Sequence, residues 1–172
     1  IGPNGCTTTA TADVMPDANV PNAVANGGTL NCVTSSVTIS GSSATPGTSL
    51  SWVGPNGFNS VQPNPTVTDP GIYTLTVQNP ANGCTAQATA NVDLDDVPPG
   101  ASANGGTVTC AVPSIQLTGS SGTSAPVWNW SGPNSFTSTD QNPTITYPGA
   151  YFLTVTGANG CTSTATTTVD SD

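Results

Sequence analysis

The sequence predicts an all-β protein built of tandem immunoglobulin-like antiparallel β-sandwiches with one disulfide per domain. Three observations predict it. The chain repeats itself with a period of 78 residues, β-branched and aromatic residues alternate with polar ones in short runs, and turn residues interrupt those runs at intervals of roughly ten residues.

The repeat sets the domain plan. Cys32, Trp52, Pro65 and Gly71 recur 78 positions later as Cys110, Trp130, Pro143 and Gly149; near Gly157 one residue is lost, and Asn82–Thr85 returns as Asn159–Thr162 at an offset of 77. Two copies follow, 18–96 and 97–172. Residues 1–17 form a third element, because Pro3–Val14 (PNGCTTTATADV) matches Ala81–Val92 (ANGCTAQATANV), the closing strand of a copy. Two readings account for this strand. Either it ends a preceding repeat of a longer array, or it is donated to complete a neighbouring chain by β-augmentation. Both copies already hold a closing strand of their own, which favours the array.

Within each copy the strands have a period of two. Val37/Ile39 and Ile115/Leu117 share a face, as do Leu50/Trp52 and Trp128/Trp130; Tyr73, Leu75 and Val77 match Tyr151, Leu153 and Val155. The segments NGG at Asn26 and Asn104, GPN at Gly54 and Gly132, and NG at Asn82 and Asn159 read as turns between these runs. No helical periodicity competes with this pattern.

The cysteines stand 52 residues apart in the first copy and 51 in the second, which predicts bonds Cys32–Cys84 and Cys110–Cys161. There is no CxxC pair and no histidine, so a zinc site is not expected. Such bonds persist in oxidising surroundings and point to an extracellular location. Cys6 is left over, its partner outside this chain or missing.

Charge narrows function by exclusion. The chain has no Lys, Arg or His, and its nine acids, all Asp, give a formal net charge of −9. Nucleic acid is not an expected partner, since its phosphates are bound through Lys and Arg. An anionic membrane surface would repel the chain, and no segment is apolar for long enough to insert. Catalysis is not expected either, because general acids and bases come mostly from His, Glu, Asp, Lys or Tyr, and Asp69 and Asp140, the acids inside the copies, stand alone in separate domains. The remaining acids gather at the junctions. Asp93, Asp95 and Asp96 are either Ca²⁺ ligands that stiffen the hinge or charges that keep a Pro98–Pro99 linker solvated; no other cofactor is expected.

The stretch Ser51–Phe58 (SWVGPNGF) recurs as Asn129–Phe136 (NWSGPNSF). Trp52 and Trp130 read as core residues. Phe58 and Phe136 either fold back over the core edge or project as stacking platforms for surface glycans, the second option making the chain a carbohydrate-binding module. Because the turn travels with the repeat frame, it reads first as part of the domain's construction.

Trp52–Phe58 (W-x-GPNGF), Gln62–Val67 (Q-x-NP-x-V), Pro70–Val77 (PG-x-YTLTV) and Asn82–Ala86 (NGCTA) together resemble the Ig-like or PKD-like repeats of giant secreted surface proteins of Bacteroidetes, among them SprB-type gliding-motility adhesins. The resemblance covers nearly the whole chain. It implies export by the type IX system, display on the cell surface, and a tandem array whose partners are neighbouring repeats or identical chains in a fibre. The second copy departs at Ser135 for Gly57 and at Trp128 for Leu50, which argues against one fixed ligand site in that turn.

Overall fold

The computed structural model describes residues 3–7 and 9–172, so Ile1, Gly2 and Thr8 of the leading strand lie outside the described residues. Two similar sandwiches follow one another. The first contains β1 (Val24–Asn26), β2 (Gly28–Asn31), β3 (Val37–Thr38), β4 (Ser40–Ser42), β5 (Ser49–Val53), β6 (Asn59–Ser60), β7 (Thr66–Val67), β8 (Gly71–Gln78) and β9 (Thr85–Asp95). The second repeats the set as β10 (Ala101–Asn104), β11 (Thr107–Val108), β12 (Ile115–Gln116), β13 (Thr118–Ser121), β14 (Val127–Gly132), β15 (Phe136–Ser138), β16 (Thr144–Ile145), β17 (Gly149–Thr156) and β18 (Thr162–Ser171).

Each sandwich has a five-stranded sheet, in the order β2-β9-β8-β5-β6 or β11-β18-β17-β14-β15. The facing layer consists of two short pairs, β1 with β4 and β3 with β7, or β10 with β13 and β12 with β16. The core lies between the layers. In the first it is built on Ile39, Trp52, Tyr73, Leu75, Val77 and Val92, and in the second on Leu117, Trp130, Tyr151, Leu153, Val155 and Val169. These are the inward positions that the alternation marks.

Two expectations are corrected. The sheets are not wholly antiparallel, because β2 runs parallel to β9 with Gly28 opposite Val92 and Asn31 opposite Asp95, and β11 runs parallel to β18. NGG is also not a turn. At Asn26–Gly28 the chain leaves β1 in one layer and continues without reversing as β2 in the other. Gly27 makes the crossing feasible, since a Cβ there would fall 1.7 Å from the Asn91 carbonyl oxygen. Glycine is needed for close approach to a neighbouring backbone.

The GPN segments do form turns. Phe58 N–H donates to the Pro55 carbonyl at 3.0 Å, and Asn56 and Asn134 take φ of 53° and 56°, a region asparagine tolerates. Near the starts of β8 and β17, Tyr73 and Tyr151 each donate their hydroxyl to the carbonyl four residues upstream, of Asp69 and Tyr147, at 2.8 Å. This is the tyrosine corner of immunoglobulin sandwiches. Burial pushes both phenols above their ordinary pKa, with the Asp69 charge adding to the effect at Tyr73.

Candidate functional site: the junction between repeats

The disulfide joins Cys32 to Cys161, with Cα atoms 5.0 Å apart across 129 residues. It therefore spans the two sandwiches, while Cys6, Cys84 and Cys110 are free. The predicted pairs Cys32–Cys84 and Cys110–Cys161 are overturned by strand direction. Cys32 follows β2, which ends beside Asp95 at the far end of β9, whereas Cys84 immediately precedes Thr85 at its start. Eleven strand residues at roughly 3.3 Å each put about 35 Å between the two ends, against the 5–6 Å that a disulfide spans. Cys110 and Cys161 are separated in the same way by β11 and β18. A first strand lying parallel to the last puts the two cysteines of one repeat at opposite poles.

Further contacts close the junction. Asn159 donates through Nδ2 to the Asp95 carboxylate and to the Val97 carbonyl, both at 2.9 Å, and accepts the Cys161 N–H on Oδ1 at 3.1 Å. One asparagine thus ties the end of β9, the linker and the disulfide together. Gly160 turns the chain with φ of +75°, and Val33 of the first sandwich lies directly over it. Cys161 is buried under these contacts, whereas Cys84, its counterpart in the first sandwich, is only half-buried. Pro99 is buried where the chain enters the second sandwich, and its carbonyl accepts the Gly122 N–H and the Ser121 hydroxyl. The linker is accordingly docked at its second proline. Beside it a cleft opens, lined by Asp95, Pro98, Gly122, Thr123 and Asn159.

The acids proposed as Ca²⁺ ligands are differently engaged. Asp93 accepts from Asn91 Nδ2 and Asp95 from Asn159, and all three acids are exposed. Among the described residues no group of three or more His, Cys, Asp or Glu side chains could hold a metal ion. Asp93 and Asp95 stand two apart on β9 and so share a face, while Asp96 lies past the end of the strand.

The aromatic turns do not project as platforms. Phe58 meets Tyr73 edge to face at 5.2 Å, and Phe136 meets Tyr151 at 5.5 Å. Both are packed against their cores, so each phenylalanine closes the lid over a tyrosine corner. At the junction the structure brings together Cys32, Cys161 and Asp95, which the sequence had placed in separate pairs and in a separate acidic group.

No family model matches the chain, and no curated protein sequence matches it. Solved structures do. The three N-terminal domains of the bacteriophage RB49 Highly Immunogenic Outer Capsid protein align with a TM-score of 0.53 at 15% identity, over 88% of this chain and 59% of that one. A titin I-band fragment, I67–I69, aligns at 0.49 and 14% identity over 90% and 66%, and DIP-gamma IG1+IG2 at 0.46 and 11% over 89% and 98%. This chain thus spans about 59% of the length of the capsid fragment it matches. At these identities the likeness is one of fold: a tandem of immunoglobulin-like sandwiches. Among the described residues, no helix is long and apolar enough to cross a membrane.

Proposed function

We propose that this chain is a non-catalytic structural segment of a long extracellular filament or cell-surface adhesin. The observation that carries the reading is the Cys32–Cys161 bond, which runs between sandwiches and not within one. A bond placed there adds little to either core but gives the junction a second covalent link beside the peptide chain, which suits a body that transmits tension along a quasi-linear array. The resemblance of the GPNGF, YTLTV and NGCTA motifs to Bacteroidetes surface repeats supports an exported, surface-displayed setting of the SprB type. The lack of any Lys or Arg supports it too, by denying trypsin-type proteases a cleavage site.

Electron micrographs of the native material test the reading. Unbranched threads with an axial period near one sandwich, about 35–40 Å from the length of its closing strand, are the expected result. A compact monomer, or retention of the purified chain on a glycan array, would overturn it.

A further inference from the structure

The leading pole of the first sandwich repeats, residue for residue, the half of the junction that the second sandwich contributes. Asn82 donates to the Asn19 carbonyl at 3.0 Å as Asn159 does to Val97, and accepts the Cys84 N–H as Asn159 accepts that of Cys161. Gly83 has φ of +74°, against +75° at Gly160, and where Val33 covers Gly160, nothing among the described residues lies within 4 Å of a Cβ built at Gly83. Cys84 is free where Cys161 is bonded.

An independent observation comes from the segment ahead of this pole. Residues 9–17 lie in no sheet and are exposed throughout. Val14 is 91% exposed, yet its counterparts Val92 and Val169 are 1% exposed in the two cores. Ala12 likewise corresponds to Ala90, a core residue. Cys6, in the turn before the segment, donates its N–H to Asn4 just as Cys84 does to Asn82. The segment carries the inward face and the entry turn of a closing strand without the sheet that such a strand completes.

We propose that this pole docks the body of one more sandwich of the same repeat type, preceding it in the same polypeptide, which takes residues 9–17 as its last strand and bonds to Cys84 through the cysteine at its Cys32 position. The inference rests on the array reading above and names its linkage: each disulfide joins a repeat to the next. In the bonding step two thiols lose two protons and two electrons to a disulfide oxidant such as oxidised glutathione, which is reduced to two thiols. At the opposite pole, Cys110 beside a groove lined by Val108, Pro113, Thr146 and Ser171 is the matching donor to a following repeat.

The test extends the full chain at either end and maps its disulfides after refolding in glutathione buffer. With a copy of residues 18–80 fused ahead of Pro3, the added cysteine is expected on Cys84, leaving thiols at Cys6 and Cys110, and residues 9–17 should become resistant to pepsin. With a copy of residues 96–172 fused after Asp172, the added cysteine at the Cys161 position is expected on Cys110. This second extension appends a sandwich with all its strands, so its folding does not depend on residues 9–17. Pairing of the added cysteine with Cys6 in the first protein, or a reduced Cys110 in the second, would overturn the proposal. These outcomes are read from peptides alone, whereas the array reading is judged on micrographs of native material, so either can fail without the other.

Discussion

Val33 of the first sandwich sits so close over Gly160 of the second that a Cβ at position 160 would fall 1.9 Å from its Cγ2. The contact belongs to the junction, because the equivalent Gly83 has the same backbone conformation and no such neighbour. Gly160→Ala should therefore cost more than Gly83→Ala. The second substitution pays only the left-handed backbone penalty of roughly 1–2 kcal/mol, while the first must also displace Val33. Denaturant melts of the two variants measure the difference, and equal losses would show that the contact carries no load.

Reduction of Cys32–Cys161 is expected to leave both sandwiches folded. Neither hydrophobic cluster includes either cysteine. The near-ultraviolet circular dichroism of Trp52, Trp130 and the tyrosines should persist in reductant, while small-angle scattering reports a wider spread of inter-repeat angles. In the chain-entropy model, closing a loop of 129 residues is worth about 5 kcal/mol; that figure is a ceiling for the stability lost in Cys32→Ser. Loss of the aromatic signal on reduction would point instead to bonds within each sandwich.

The tyrosine corners predict an alkaline weakness. Both phenols have folded-state pKa values raised by burial above the ordinary value of 10.0. The folded state thus holds these protons more tightly than the unfolded one. Their contribution is complete below the unfolded pKa and is lost as pH rises through the raised folded values. Stability should therefore be flat around neutrality and fall above about pH 10. Tyr73→Phe, which removes the hydrogen bond to Asp69, should cost about 1 kcal/mol at pH 7 and flatten the alkaline decline. A variant with an unchanged alkaline slope would refute this assignment.

The two core tryptophans are unequally satisfied. Trp130 donates its indole N–H to the Gln141 carbonyl at 3.2 Å, while the Trp52 indole N–H has no partner among the described residues. The position of Gln141 is taken in the first sandwich by Pro63, whose carbonyl accepts the Gly41 N–H. An unpaired buried donor costs on the order of 1–3 kcal/mol. Trp52→Phe should consequently destabilise less than Trp130→Phe, by about that margin, in paired melting experiments.

Much of the fold was legible in the sequence because burial on one face forces a period of two, and Tyr73, Leu75 and Val77 could only be read as an inward row. The GPN turn was legible because Pro55 and Asn56 suit few other conformations. NGG misled because Asn-Gly is equally at home in a hairpin and at a strand crossing. What separates the two is the carbonyl of Asn91, some 65 positions away. The disulfide was misread for a related reason. Spacing along the chain says how often cysteines recur, but the pole each occupies depends on the direction of β2 against β9, which periodicity does not encode. The odd cysteine could not reveal the junction, because five cysteines leave one over whether bonds run within repeats or between them.

The loop that Cys32 and Cys161 close contains most of both sandwiches. Any single backbone scission between Val33 and Gly160, including one in the docked Pro98–Pro99 stretch, would therefore leave the molecule in one covalent piece. Severing it takes a second cut or a reductant as well, so wear at one point is tolerated until chemistry of another kind arrives.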